Sequence, residues 1–202
     1  MALKSVHAPG ATPLDPDEIA GLIPGFVTTQ EELNLVESEN ILEAEAWLAG
    51  ARRFDVLDDG FARALHKRMF GKTWRWAGHY RSTEKNIGIA PEQVAVAMRD
   101  LMADVRAQIE SQAWPVPEIA ARFHHRLTRI HAFAKGNGRH ARLMTDLLMR
   151  QCGVPPFTWG RGDLVHAGDE RTAYIAALHA ADQGDFAGLL AFLGASDRGE
   201  AA

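Results

Sequence analysis

A glycine-rich turn between two helical hydrophobic stripes is the feature that most restricts the fold of this chain. The turn, Gly-Asn-Gly, lies inside the segment HAFAKGNGRHAR, residues 131–142. Apolar residues recur at helical spacing on both sides of it: Ile119, Phe123, Leu127 and Ile130 before the turn, and Leu143, Leu147 and Leu148 after it. Intervals of three and four residues place these side chains on one helix face. The pattern therefore predicts two helices joined by a tight turn.

Helical patterns also cover most of the remaining chain. Two capping boxes, Asp15 with Glu18 and Thr29 with Glu32, mark helix starts. Further helices are predicted over residues 61–70, from residue 91 to about 110, over 174–181 and over 186–192. The segment STEKNIGIAP is short and contains Asn-Ile-Gly, which favours a small β-hairpin at about residues 82–90. We predict an all-α helical bundle with this hairpin as its one β element.

Composition limits the size and setting of the fold. The chain has 202 residues, of which 47% are hydrophobic, enough for one well-packed domain over residues 15–202 after an extended arm at 1–14. A net charge of −4 argues against direct nucleic-acid binding. The single cysteine, Cys152, fits a reducing compartment, and neither a leader sequence nor a membrane-spanning stretch is evident. We expect a cytoplasmic protein.

The residues around the turn suit a phosphate group. Glycines allow backbone N–H groups to approach an anion closely, and the dipole of the following helix adds to the attraction. Arg139 and Arg142 lie three residues apart and so face one side of that helix. His131, at the end of the preceding helix, is placed to accept a hydroxyl proton. An arginine pair after a glycine turn is often only a solvated helix start, and a histidine before it is often a helix cap, but together they favour a polyphosphate site.

Residues 131–142 closely resemble the Fic family signature, His-x-Phe-x-(Asp/Glu)-Gly-Asn-Gly-Arg-x-x-Arg, at every defined position but one. The stretches GATPLDPDEIAGLIP, ELNLVESENI, TWRWAGHYRSTEKNIGI and NGRHARLMTDLLM are similar to the Fic subgroup called mobile mystery protein B, which is associated with mobile elements. The resemblance implies a Fic (Fic/DOC) fold and a toxin-like nucleotidyltransferase. Its activity would be AMPylation, the transfer of AMP from ATP to a Ser, Thr or Tyr hydroxyl of a target protein.

The resemblance also implies a role for each motif residue. His131 would be the general base, and Phe133 would anchor the loop in the core. Asn137 would bond a phosphate oxygen, while Arg139 and Arg142 would hold the β- and γ-phosphates. The implied catalytic group is His131, Asn137 and Arg139. The implied phosphate-binding group is Lys135, Gly136, Asn137, Gly138, Arg139 and Arg142.

Lys135 stands where the family usually places the carboxylate that holds Mg²⁺ between the α- and β-phosphates. No metal ligand is therefore predicted here, although Mg²⁺ would ordinarily accompany ATP. An ammonium has the net charge of a carboxylate with Mg²⁺, so we hypothesise that Lys135 contacts the phosphate oxygens directly. It lacks octahedral geometry, which predicts slower transfer, another donor reaction (phosphotransfer or UMP transfer) or an impaired nucleotide-binding protein. A lysine that simply points into solvent is an equally good interpretation.

The segment at residues 82–90 occupies the place of the family's flap, which docks an extended target. The candidates for target docking are Thr83, Lys85, Asn86, Ile87 and Gly88. An exposed hairpin edge suits strand addition. A hairpin that only covers the core is the alternative.

Many Fic proteins are silenced by a helix bearing Ser/Thr-x-x-x-Glu-Gly/Asn, whose glutamate pairs with the second motif arginine. Thr28 with Glu32 and Ser196 with Glu200 match this spacing in part, although capping already explains the first pair. A separate antitoxin-like protein that supplies the glutamate is the alternative.

Other chemical groups have weaker patterns. Four histidines, His124, His125, His131 and His140, lack the spacing and the carboxylate of a zinc hydrolase. Trp74 and Trp76 could stack a nucleobase but are more typical of core residues. For Cys152, buried packing is favoured over a catalytic thiol.

Overall fold

The computed structural model describes residues 12–50, 54–161, 164 and 168–194. The α-helices there are α1 (Pro16–Ile19), α2 (Gln30–Gly50), α3 (Asp59–Phe70), α4 (Val94–Glu110), α5 (Val116–Ile130), α6 (Asn137–Gln151), α7 (Asp169–Asp182) and α8 (Ala187–Phe192). Short 3-10 turns at Pro91–Gln93 and Trp159–Arg161 precede α4 and α7. The predicted helical architecture is thus confirmed.

Both predicted capping boxes form. The Glu18 carboxylate accepts a hydrogen bond from the Asp15 N–H at 2.8 Å. Glu32 accepts one from the Thr29 N–H at 3.0 Å, and the Thr29 hydroxyl accepts the Glu32 N–H at 3.2 Å. Each box satisfies donors that a helix start leaves without a partner. The two helices therefore begin where the sequence predicted.

Helix α5 lies at the centre of the packing. Its residues Phe123 and Leu127 belong to the larger hydrophobic core, which α2, α3, α4 and α6 complete. Its residues Ala120 and Ala121 belong to a second core, shared with α7 and α8. Helices α5 and α6 pack side by side. The turn that joins them is consequently held by two buried helices, which fixes residues 131–136 relative to both cores.

The predicted β-hairpin at residues 82–90 is wrong, because no strand forms in the described residues. Arg81 organises this flap instead. The buried guanidinium donates Nε–H to the His131 carbonyl at 2.6 Å and Nη1–H to the Thr83 carbonyl at 2.9 Å, and its Nη2 donates to the Ile89 carbonyl. One side chain thus supplies hydrogen bonds that a neighbouring strand would have made.

The N-terminal part of the described chain is fixed against the segment before the flap. Leu22 and Trp74 form an isolated antiparallel bridge. The Trp76 indole N–H donates to the Glu18 carbonyl at 2.9 Å. A Cβ added at Gly21 would lie 2.6 Å from Trp76 Cδ1, so only glycine permits this approach. Helix α1 and the residues next to it are therefore anchored and do not trail from the domain.

Across the described ranges, no helix combines the length and apolar character needed to cross a bilayer.

Candidate functional site

His131 ends α5 in a left-handed conformation, with φ 54° and ψ 57°. Its N–H donates to the Leu127 carbonyl at 3.2 Å, which closes the last turn of the helix. The flap lies directly on this residue: a Cβ added at Gly88 would be 2.7 Å from the His131 Cβ. The helix end and the flap therefore enclose the imidazole, which is only 7% exposed.

The His131 imidazole contacts a hydroxyl group. Its Nε2 lies 2.8 Å from the Thr12 Oγ1, within hydrogen-bonding distance. Burial lowers the pKa of His131 to about 4, and the positive charges of Arg81 and Lys85 act in the same direction. The ring is therefore neutral at pH 7. A neutral imidazole at hydrogen-bonding distance from a hydroxyl can act as its general base.

The buried Asn137 side chain forms two hydrogen bonds within the loop. Its Oδ1 accepts the Phe133 N–H at 2.8 Å, and its Nδ2 donates to the Phe133 carbonyl at 2.7 Å. Gly136 has φ 84°, and a Cβ there would lie 2.5 Å from the Phe70 ring, so the turn requires glycine. Asn137 thus sets the shape of the loop; its predicted bond to a phosphate oxygen stays a prediction.

His66 supports the loop from below, a role that the sequence did not reveal. Its Nε2 donates to the Lys135 carbonyl at 3.0 Å while its Nδ1 accepts the Gly78 N–H at the same distance. The ring stacks on Phe133 with centroids 3.7 Å apart. Burial lowers the pKa of His66 well below its ordinary value, which keeps this donor-acceptor pattern fixed. The buried Phe133 is the loop anchor that was predicted.

The three cationic residues of the motif gather at the start of α6. Burial lowers the pKa of Lys135, the charge of Arg139 lowers it further, and Glu37 opposes both. Burial also lowers the pKa of Arg142, and the nearby Tyr174 acts in the opposite direction. The guanidinium of Arg139 lies over the Phe70 ring. The charge of Arg139 therefore acts on both Lys135 and Arg142, and binding of a polyphosphate by these three residues stays a prediction.

Glu37 is the functional candidate that sequence reasoning missed. It lies on α2 and is 0% exposed. Its Oε1 accepts the Trp74 indole N–H at 2.7 Å, and its Oε2 forms an ion pair with Arg139. A signal was present: the buried positions of α2 are Leu33, Glu37, Asn40 and Ala44, one helical stripe containing two polar residues. A carboxylate on such a stripe must find a buried partner.

The flap candidates divide into two groups. Thr83 donates to Glu18 at 3.2 Å, and the Lys85 ammonium pairs with Asp15 at 2.7 Å and with Glu18 at 2.5 Å. The Lys85 side chain is only 2% exposed. By contrast, Ile87 is 41% exposed and Asn86 also lies at the surface. Lys85 is therefore covered by α1 and the residue before it, whereas Thr83 contacts Glu18 and stays exposed.

Of the two inhibitory pairs predicted from spacing, Thr28 and Glu32 form contacts with each other and not with the motif arginines. Glu32 accepts hydrogen bonds from the Thr28 N–H at 2.7 Å and the Thr29 N–H at 3.0 Å, which lower its pKa. These bonds make it a helix cap. Ser196 and Glu200 lie outside the described residues. Within the described chain, the carboxylate that reaches a motif arginine is Glu37, and it reaches the first one.

The remaining histidines bind separate partners. His124 contacts the Tyr174 hydroxyl at 2.7 Å, His125 contacts Asp182 at 2.9 Å, and the His140 ring contacts the Ala62 carbonyl at 2.8 Å. No group of three or more potential metal ligands occurs among the described residues. These rings serve packing and hydrogen bonding in the structure.

Burial also decides between the two interpretations given for Trp74 and between the two given for Cys152. Trp74 is fully buried and stacks on Trp76 with centroids 5.0 Å apart, so it belongs to the core. Cys152 is partly buried, and burial raises the pKa of its thiol. A raised pKa reduces the thiolate fraction, which supports the packing role.

The chain is similar in sequence to known proteins. Residues 56–149 match the model of the Fic/DOC family. Protein adenylyltransferase fic-1 of Caenorhabditis briggsae is 34% identical over 126 residues, which are 60% of this chain and 23% of that relative. The chain thus spans about a quarter of that protein's length.

Solved structures share the architecture. Fic-1 from C. elegans has a TM-score of 0.65 and 27% identity, over 87% of this chain and 51% of that chain. BepC protein from Bartonella tribocorum, solved with bound AMPPNP, has a TM-score of 0.67 and 18% identity, over 89% of this chain and 96% of that chain. Their likeness confirms the predicted type of helical fold.

Proposed function

Because residues 56–149 match the model of the Fic/DOC family and the fold is similar to that of Fic-1, we propose that the chain transfers AMP from ATP to a Ser, Thr or Tyr hydroxyl of a target protein. The observation that supports this most is the contact at His131. A buried imidazole in the loop before the Gly-Asn-Gly turn already binds a hydroxyl, at 2.8 Å. This is the geometry that general-base activation of an alcohol needs.

Each group has a defined part in the proposed reaction. His131 removes the proton of the target hydroxyl, whose oxygen attacks the α-phosphorus of ATP while pyrophosphate leaves. The N–H groups of residues 136–138 and the guanidiniums of Arg139 and Arg142 hold the phosphates that depart. No covalent enzyme intermediate is required, so the loop contributes positioning and charge stabilisation.

The residues present do not fit a protein-held Mg²⁺ at this loop, because Lys135 offers an ammonium donor where a carboxylate ligand would be needed. We propose that the Lys135 ammonium contacts the oxygens between the α- and β-phosphates directly. Transfer is then expected to persist in EDTA, and Lys135→Met should weaken it. Complete loss of a robust activity on adding EDTA would contradict this role of Lys135.

Glu37 is the proposed inhibitory group. Its ion pair occupies the guanidinium of Arg139, which a bound triphosphate needs. The ion pair therefore competes with the nucleotide. Since the glutamate comes from the same chain, a separate antitoxin-like protein is not needed to explain a blocked arginine.

A second candidate follows from Lys135 and Glu37 together. A chain with an ammonium in place of the metal ligand and a neutralised Arg139 could bind nucleotide yet transfer it poorly, or transfer a phosphate or UMP instead. The mobile-element subgroup and a cytoplasmic setting also belong to the proposal; they rest on the sequence similarity and on the single cysteine.

One assay separates these functions. The protein and His131→Ala are incubated with ATP labelled at the α or the γ position, in the presence of a cell lysate. Adenylylation predicts α-label on protein that disappears in the variant. Transfer of γ-label would indicate phosphotransfer, α-labelled UTP tests the third donor, and nucleotide binding without transfer would identify an impaired protein.

A further inference from the structure

Thr12 lies on the imidazole that the proposed function assigns as the general base. Its Oγ1 is 2.8 Å from the His131 Nε2, although 119 positions separate the two residues. A target hydroxyl would occupy the same place during transfer. We therefore propose that Thr12 is an acceptor within the chain, so that the protein adenylylates its own Thr12; this inference rests on the proposed function.

The residues after Thr12 hold it in this position. Asp15 and Glu18 both pair with the Lys85 ammonium, and Glu18 also accepts a hydrogen bond from Thr83. Thr83 and Lys85 are flap residues predicted to dock a target. Side chains of the chain's own segment therefore contact two of the flap residues that were predicted to dock a target.

The segment that links Thr12 to Asp15 is short, and its conformation suits an acceptor. Asp15 lies three positions after Thr12, a span of roughly 10 Å when extended. Pro13 follows Thr12 and disfavours a helical conformation at Thr12, which keeps the segment extended. A hydroxyl held this close reacts at a high effective concentration, because binding of a separate acceptor is not required.

The chemistry balances with ATP as the only co-reactant. His131 Nε2 takes the Thr12 hydroxyl proton, and the Thr12 oxygen forms a bond to the α-phosphorus. The bond from that phosphorus to the bridging oxygen breaks, and pyrophosphate leaves with its electron pair. The imidazolium then releases the proton to solvent, which restores the neutral base. The product is an AMP ester of Thr12 that occupies the acceptor position.

The test is mass spectrometry of the purified full chain before and after incubation with ATP. The proposal predicts one AMP moiety, located by peptide mapping on Thr12. Thr12→Val and His131→Asn should lose this label completely, whereas Thr12→Ser should retain it. Thr172→Val, which alters an exposed threonine on α7, is the matched control and should retain it.

A mixing experiment tests whether the acceptor and the base belong to the same chain. His131→Asn, which keeps Thr12, is mixed with active Thr12→Val, which keeps the base. Reaction within one chain predicts no AMP on either protein, whereas AMP on Thr12 of the His131→Asn chain would overturn it.

Failure of this inference is distinguishable from failure of the proposed function. Label on lysate proteins that depends on His131, without any on Thr12, overturns the inference and leaves the proposed function intact. Self-labelling that is unchanged in Thr12→Val overturns it as well. Absence of α-label on every protein overturns both.

Discussion

The loop at residues 131–142 has two sides, and the chain occupies both of them in different ways. On the phosphate side, formed by Lys135, Arg139 and Arg142, the contact is an ion pair with a glutamate that is 0% exposed. On the acceptor side, at the His131 imidazole, it is a hydrogen bond between neutral groups. The segment that brings the hydroxyl lies near the surface, since its Asp15 side chain is 45% exposed.

The difference predicts how readily each side opens. Breaking a buried ion pair by removing one partner costs about 3–5 kcal/mol, because a charge is left without compensation. A neutral hydrogen bond contributes only about 0.5–1.5 kcal/mol. The Thr12 hydroxyl should therefore leave His131 easily, while the Lys85 ion pairs keep its segment on the flap, whereas the phosphate side requires a nucleotide that replaces the carboxylate of Glu37. Nucleotide entry is the step that the fold controls more strongly.

The largest effect is expected from His131→Asn on the acceptor side. Asparagine tolerates the left-handed backbone of this position, so the loop should keep its shape. Loss of a general base should reduce transfer of α-label about 10²- to 10⁴-fold. Binding of a non-hydrolysable ATP analogue should not change, and His179→Asn, an exposed histidine on α7, should alter neither quantity. Weakened analogue binding would mean that the two sides are not separate.

Acid should lower the free energy of unfolding, and so destabilise both sides of the loop together. Burial lowers the pKa of His124 to about 3 and those of His131 and His140 to about 4, below the ordinary 6.5. The unfolded chain therefore binds protons that the folded chain does not, and stability present above pH 6.5 is lost as the pH falls toward 4. Each of these histidines lowers the free energy of unfolding by about 1.4 kcal/mol per pH unit.

Denaturant unfolding at pH 7, 6 and 5 measures this loss. His140→Gln should make the decline shallower, whereas the exposed His179→Asn should leave it unchanged. An unfolding free energy that is constant from pH 7 to pH 5 would show that these rings are not buried as neutral groups.

Glu37→Gln should open the phosphate side. Glutamine retains an acceptor for Trp74 but removes the charge that holds Arg139. Because charge-assisted hydrogen bonds contribute about 1.5–3 kcal/mol, affinity for the ATP analogue should rise about ten-fold, while stability falls. Calorimetric titration measures the affinity. Glu32→Gln, a capping residue on the same helix, should leave affinity unchanged; an equal rise in both variants would exclude competition at Arg139.

The smallest effect is expected from Thr12→Val on the acceptor side. Removing a neutral hydrogen bond and a competing acceptor should increase labelling of lysate proteins about three- to ten-fold. Thr172→Val is the control. If labelling of other proteins falls in Thr12→Val, the N-terminal segment assists target binding and does not compete with it.

The sequence predicted the elements that depend on local signals. The boxes at Asp15 and Thr29 and the spacing of Phe123 and Leu127 located helix starts and core faces, because capping and amphipathic periodicity act within one helix. The Gly-Asn-Gly turn also has a local cause, the positive φ of Gly136. These features could be inferred without a tertiary structure.

Contacts between distant segments could not be inferred in the same way. The flap resembled a hairpin by composition, yet the Arg81 guanidinium binds its carbonyls from outside the segment. Glu37 and Arg139 are 102 positions apart, and Thr12 and His131 are 119 apart. Such pairs depend on how the helices pack, which propensity and spacing do not specify.

A crystal structure of His131→Asn with a non-hydrolysable ATP analogue tests the central claim most directly. We predict the β- and γ-phosphates against the N–H groups of residues 136–138, with Arg139 released from Glu37 and turned, together with Arg142, toward the nucleotide. The α-phosphorus should face the position of the removed imidazole. A nucleotide bound elsewhere on the chain, or an Arg139 that still pairs with Glu37 while the analogue is bound, would contradict the account.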